Sequence, residues 1–344
     1  MSYLSLKYYR KMKIIRNIHL ISNMYYSSIT CDIPNSDDET IIKMYNGQSN
    51  ILYICIWKKN DIIHRDNNLP AYIEYYDSGK VREEMWYQKG KLDRSFQLPA
   101  LVEYYENGKI KKEEWYQNGN FYRNNDLPAS IAYYESGQLK EEAWHQNGIY
   151  TRCEFPSIIK YYENGKLRQQ LWYKNGKLHR DKDLPSWVEY YESGQLKVET
   201  WYQNGHLYRD NNLPAKILYH ENNKILQKDW YENGKLHRDN DLPAQIEYHE
   251  NGDEKINFWY RYGKLHRDND LPALIEYYEN GKLQYEFWCE NGKLHRDRDL
   301  PTQIKYYENG KVKEEIWLIN DRLGRVNKLL PCLIRYNIDG SKII

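Results

Sequence analysis

The sequence predicts an all-β fold: an elongated array of antiparallel β-hairpins, a twisted meander or solenoid with about 29 residues per repeat. Three observations predict it. Prolines 70, 99, 128, 156, 185, 214, 243, 272, 301 and 331 recur every 29 residues, except for one step of 28 after Pro128 and one of 30 after Pro301. Tryptophan keeps the same register from Trp57 to Trp317. Between them lie two glycine turns per period, 11 and 18 residues apart, as at Gly281, Gly292 and Gly310. A period of this size marks a unit that cannot bury its apolar face without its neighbours.

Residues 1–40 stand apart as a basic leader and polar linker, and residues 41–344 form the array of about ten repeats. The leader carries Lys7, Arg10, Lys11, Lys13 and Arg16, and its first acid is Asp32. It reads as a poorly ordered basic stretch, with a transit peptide or membrane-surface helix as the alternative. Met12 and Met24 are alternative starts to Met1. Residues 41–47 begin the repeat in degenerate form. Gly47 lies ten residues before Trp57 where later units have seven, so an insertion of three is expected to bulge within residues 48–56.

Within one repeat, Asn-Gly flanked by alternating apolar residues predicts a type I′ hairpin at both turns, since both central positions need φ > 0. Asn223 replaces glycine at one first turn and is the next-best residue there. The second turn sets a register in which Tyr231 faces Leu236 and Trp230 faces His237. Rings opposite Trp recur (His64, His179, His237, His266, His295, Tyr122, Tyr208), which predicts cross-strand ring pairs at ~0.2–1 kcal/mol each. The structural ladder is expected in Trp86, Trp115, Trp144, Trp172, Trp201, Trp230, Trp259, Trp288 and Trp317. Beside the histidines run Arg94, Arg123, Arg152, Arg180, Arg209, Arg238, Arg267 and Arg296, with Arg65 and Arg325 at the ends. They are expected to bridge the Glu of Ile-Glu-Tyr or to stack on Tyr or Trp. A line of guanidinium groups reading a phosphate-bearing ligand is the alternative, which Glu74, Glu103, Glu189, Glu247 and Glu276 would neutralise. Asp-Asn-Asp-Leu-Pro at residues 268–272 and its relatives interrupts the longer strand, and its proline belongs at an edge, bulge or bend.

Formal net charge is +1 with 29% charged residues, which argues against a nucleic-acid partner. The 36 Tyr and 11 Trp against 5 Phe suit a thin structure, wet on one side and packed on the other, as does the mean hydropathy of −0.96. Cys31, Cys55, Cys153, Cys289 and Cys332 share no repeat position, so they read as free thiols of a reducing compartment. No apolar run is long enough to cross a bilayer as a helix.

No catalytic, cofactor or metal site is expected. The loop acids vary too much for calcium, and no second ligand type recurs beside the histidines. His295-Arg-Asp297 matches the kinase catalytic tripeptide, but the tripeptide repeats and no glycine-rich loop or Asp-Phe-Gly accompanies it. Catalysis needs one asymmetric site, which near-identical units do not advertise.

Tyr-Tyr-Glu-Asn-Gly-Lys-Leu followed by Glu-x-Trp-Tyr-x-Asn-Gly-Lys-Leu resembles the MORN-repeat variant family, which includes the repeats of bacterial YwqK-type antitoxin proteins. The chain departs from that family in its longer link, His-Arg-Asp-Asn-Asp-Leu-Pro-Ala, which is similar to arrays of large DNA viruses. The resemblance implies a β-hairpin array used as a scaffold or binding surface, sometimes at membranes, and carries over no catalytic residue.

The function expected is therefore a non-enzymatic, cytoplasmic scaffold for an unidentified protein partner, in host cytoplasm if viral. The alternatives are a peripheral membrane or phosphoinositide-binding module and an aromatic platform for carbohydrate. The residue before each Trp varies freely, so Met85, Leu171, Phe258, Phe287 and Ile316 are expected on the partner face.

Overall fold

The computed structural model describes residues 26–32, 39–46, 51–123, 126–146, 148–152, 154–296, 298–319, 321–325 and 330–343. Its contacts divide into two units, residues 1–166 and 167–344. Among the described residues every regular element is a strand, and every pairing is antiparallel. The all-β hairpin array expected from the sequence is the fold.

The repeat around Trp259 shows why the chain takes this form. Gln245–Tyr248 pairs with Glu254–Phe258, with Gln245 opposite Phe258 and Glu247 opposite Ile256. Ile256, Asn257 and Phe258 then pair on their other edge with Glu276, Ile275 and Leu274 of the next repeat. Between these two ladders the chain makes an excursion. Tyr260–Arg261 and Lys264–Leu265 form a short hairpin with a ladder of its own. The excursion is tied down at both ends, since Trp259 N–H donates to the Ala273 carbonyl and His266 N–H donates to the Trp259 carbonyl, at 2.8 and 3.0 Å. Two long strands and one small hairpin per period therefore replace the short and long strands that turn spacing alone suggests.

The two turns differ in kind. In the second, Asn233 and Gly234 both take positive φ, 49° and 73°, the type I′ geometry expected. In the first, only the glycine does. Gly108 (φ 87°) donates to the Tyr105 carbonyl and closes a turn in which the Asn107 side chain accepts from Lys109 N–H. This is a three-residue loop ending in a left-handed residue, and the extra residue appears as a register shift before Lys112. Asn223 takes the glycine's place with φ 66°. The proline loop is a third turn: Asn240 and Asp241 have φ of 63° and 56°, and Leu242 N–H reaches back to the Asp239 carbonyl.

Near its start the array differs from expectation. Tyr26–Asp32 is already a strand and pairs with Glu39–Asn46, so residues 26–30 of the expected leader and residues 39–40 of the expected linker lie in the sheet. Residues 1–25 and 33–38 lie outside the described residues. The insertion of three is not needed. Tyr45 pairs with Leu52, leaving residues 46–51 between them, one more than the 105–109 between Tyr104 and Ile110. The register shift falls beside Tyr53, as it does at the matching step of the next three repeats.

The core is a set of narrow columns rather than a central mass. The nine ladder tryptophans that begin with Trp86 are 5–7% exposed. The residue after each proline from Pro70 to Pro301 is small and buried: Ala100, Ala215, Ala244 and Ala273 at 0%, Ser157 and Ser186 at 0%, and Thr302 at 1%. Each bonds on both sides, as Ala273 does to Trp259 and Phe287, so a larger side chain there would have to push two strands.

Candidate functional site

The residues that sequence reasoning singled out gather into a Trp–Arg–Asp ladder on the proline loops. Each arginine lies flat on the tryptophan of its own repeat. Guanidinium-to-ring distances are 3.6 Å at Arg94–Trp86, 3.7 Å at Arg123–Trp115, 4.1 Å at Arg152–Trp144 and 3.8 Å at Arg180–Trp172. They are 3.8 Å at Arg209–Trp201, 3.9 Å at Arg238–Trp230 and Arg267–Trp259, and 3.8 Å at Arg296–Trp288. Arg325 closes the series on Trp317 at 4.0 Å. The loop turn brings the rest of the fork into play. Arg267 Nη1 donates to the Pro272 carbonyl, while Nε and Nη2 donate to the two oxygens of Asp241 in the preceding repeat, both at 2.8 Å. Trp259 Nε1 donates to the Asp241 carbonyl at 3.0 Å. One loop residue thus holds the tryptophan by its backbone and the arginine by its carboxylate.

The arginine's acidic partner is this loop Asp, not the Glu of Ile-Glu-Tyr. Glu74 and Glu103 pair instead with Arg82 and Lys111, at 2.8 and 2.9 Å. Nor does the tryptophan stack across the hairpin on histidine, because the arginine occupies its face. His237 stacks on Tyr262 of the next repeat, with centroids 4.2 Å apart. The histidines do something the sequence reading missed: Nε2 of His64, His179 and His266 lies 2.9 Å from Asp66, Asp181 and Asp268. The His-x-Asp spacing was the available signal.

The expected partner face is not an open surface. Leu171 is 7% exposed, and Met85, Phe258, Phe287 and Ile316 are half-buried. Glu114, Ala143, Thr200 and Asp229 occupy the same position in other repeats at 2–5%. Where the residue two positions on is aromatic it covers them: Tyr116 donates to Glu114 at 2.8 Å, Tyr87 donates to the sulfur of Met85, and Tyr260 stacks near Phe258, whereas Cys289 and Leu318 follow Phe287 and Ile316. The polar edge of that tyrosine is why a buried position tolerates Glu, Asp, Thr and Leu alike. Burial raises the Asp229 carboxyl above its ordinary range, and Gln227 satisfies it at 2.7 Å.

One carboxylate on the sheet is placed against charge. Glu83 pairs with Glu74 on one strand and Glu103 on the other, so three acids stand in a row. Its outer neighbours have cations, but Glu83 Oε1 is buried without a hydrogen-bond partner among the described residues. Burial first, then the Glu103 and Glu74 charges, push its pKa up to about 7. The folded state therefore holds a proton that the unfolded chain releases near pH 4.5, and stability falls as pH rises from about 4.5 through about 7. Allowing for its partial exposure, Glu83→Gln is expected to raise stability at pH 8 by about 1–2 kcal/mol and to flatten that slope. Urea unfolding of both proteins at pH 5 and pH 8 checks this. Equal differences at the two pH values would contradict it.

Comparison with known families finds a similarity in part of the array. Six stretches match the MORN repeat variant. They are residues 101–118, 130–148, 158–175, 186–204, 274–287 and 302–316. All six cover a strand, the first turn and the second strand, and the first four also include the tryptophan and the start of the small hairpin. The loops that carry the Arg–Asp half of the ladder, such as residues 176–185, fall outside the matched stretches. A search of curated proteins finds no match.

Proposed function

We propose that the chain is a non-enzymatic scaffold that binds a protein partner along the rows of leucine at its proline loops. One observation carries this reading. The residue before nine of the ten repeat prolines is an outward-facing leucine, and before Pro156 it is the exposed Phe155: Leu69, Leu98 and Leu127 in the first unit are 39–44% exposed, and Leu184, Leu213, Leu242, Leu271, Leu300 and Leu330 in the second are 36–42% exposed. Two strands per repeat space such residues by roughly 9–10 Å. The polar His-x-Asp segment precedes Leu69, Leu184, Leu242, Leu271 and Leu300, which gives apolar anchors beside a wet rim, the usual anatomy of a protein interface.

The rival readings lose their instruments. A phosphoinositide site would need free guanidinium groups, and the ladder arginines lie on tryptophan, each with one donor on the carbonyl of its loop proline. A carbohydrate platform would need open indole faces, and these are buried. We place the scaffold in the cytoplasm, in keeping with free thiols at Cys55, Cys289 and Cys332.

The test is affinity capture from cell lysate with the wild-type chain and with Leu213→Ser/Leu242→Ser/Leu271→Ser. Recovery of one defined protein is expected to fall at least tenfold in the variant, whose circular dichroism should match the wild type. Undiminished recovery would sink the leucine-row reading. Capture of anionic lipid that disappears in high salt would favour the membrane alternative instead.

A further inference from the structure

We propose that Glu232, His237 and Asp239 form a binding site for a divalent transition-metal ion of the Zn²⁺ type. The observation is a departure from the pattern of the other repeats. In three of them a side-chain cation sits two residues after the tryptophan and reaches the Asp of His-x-Asp. Lys59 meets Asp66 at 2.7 Å, Lys174 meets Asp181 at 3.1 Å, and Arg261 meets Asp268. In the repeat of Trp230 this position is Glu232, so the array's own counter-charge is replaced by a second carboxylate.

The imidazole is also turned to a different use. Elsewhere Nδ1 accepts a backbone N–H: Lys89 to His64 at 3.4 Å, Asn204 to His179 at 3.3 Å, and Asn291 to His266 at 3.3 Å. That leaves Nε2–H to donate to the Asp, and a neutral ring satisfies both contacts. At His237, Nδ1 instead lies 3.3 Å from the Tyr260 carbonyl, which can only accept. In the neutral ring the proton belongs on Nδ1, and the Nε2 lone pair faces Glu232 Oε2 and Asp239 Oδ1, each 3.2 Å away. Three acceptors then converge with no proton between them, an arrangement that a cation resolves. A backbone carbonyl on the remote nitrogen is the orientation that metal-bound histidines use, and the Tyr262 ring fixes the plane at 4.2 Å.

The dimensions fit. The three ligand atoms lie within 4.8 Å of one another, and the 3.2 Å nitrogen–oxygen separations are close to the roughly 3.4 Å edge of a tetrahedron with ~2.1 Å bonds. One imidazole and two carboxylates suit Zn²⁺ and its transition-metal neighbours, whereas Ca²⁺ prefers six or more oxygens. His237 is 11% exposed at its side chain and Asp239 80%, so the fourth position opens to solvent or to an exogenous ligand. Glu290, His295 and Asp297 repeat the same residue types, with Asp297 outside the described residues.

The experiment is calorimetric titration of the full chain with Zn²⁺ at pH 7.5, beside Glu232→Lys, which restores the arrangement of the neighbouring repeats. The variant is expected to fold as the wild type does and to lose one equivalent of bound Zn²⁺. In the wild type, histidine side-chain ¹⁵N spectra should show His237 Nε2 shifting on Zn²⁺ addition while Nδ1 stays protonated. Absence of Zn²⁺ binding by the wild type, or the same stoichiometry and affinity in Glu232→Lys, would overturn the proposal. A His237 resonance unmoved by Zn²⁺ would do so as well.

Discussion

Trp259→Ala is expected to lower the stability of the second unit by about 3–5 kcal/mol, the range for removing a large aromatic from a packed interior. The ring is 7% exposed, carries Arg267 on its face at 3.9 Å, and donates through Nε1 to the Asp241 carbonyl. Truncation therefore removes apolar burial, a desolvated cation–π contact and a bond to the preceding repeat at one stroke. Because stability in a repeat array is a sum of local and nearest-neighbour terms, the damage should also uncouple repeats on either side. Urea unfolding followed by circular dichroism should show a lower midpoint and a broadened transition. A loss under about 1 kcal/mol would mean that the tryptophan column does not carry the fold.

Arg267→Ala comes second, at about 2–4 kcal/mol. Its loss strands the Asp241 carboxylate and the Pro272 carbonyl as well as uncovering the indole. Arg267→Lys should recover less than half of this, since an ammonium cannot span both carboxylate oxygens and lie flat on a ring. Arg123 supplies the internal comparison. Gln97 stands where Asp126, Asp183, Asn212, Asp241, Asp270 and Asp299 stand in other loops, and Arg123 Nε is buried without a partner among the described residues. Arg123→Ala should therefore cost less than Arg267→Ala, and the reverse order in thermal or urea denaturation would contradict the role given to the loop Asp.

What could be read from the sequence follows the range over which each feature is determined. The second turn was legible because its demand is local: two adjacent residues with positive φ, met by Asn233-Gly234, fix the pairs Tyr231–Leu236 and Glu232–Lys235. The first turn has the same Asn-Gly letters and a different shape, because Asn107 uses its side chain to cap Lys109 rather than its backbone to turn. The third turn was obscured where Phe96-Gln97, Lys182-Asp183 or Arg298-Asp299 take the left-handed positions that Asn and Asp hold elsewhere.

The site was legible only in part. A constant arginine beside a constant tryptophan pointed to stacking, but the Asp that completes the fork lies 26 residues earlier in another repeat. Nothing local marks it. Variation before each tryptophan looked like a surface selecting partners. It reflects instead a half-covered pocket whose tyrosine lid serves Glu114 as well as Met85. The leucine rows had a signal, Leu at nearly every position before proline, that was absorbed into the loop motif.

The most direct test of the ladder is a double-mutant cycle between Trp259 and Arg267, measured by urea unfolding of the full chain. If the two side chains form one structural element, their coupling should be about 1–2 kcal/mol, as for a desolvated cation–π pair with shared partners. A coupling near zero would contradict the account and return the arginine line to the role of a ligand-facing surface.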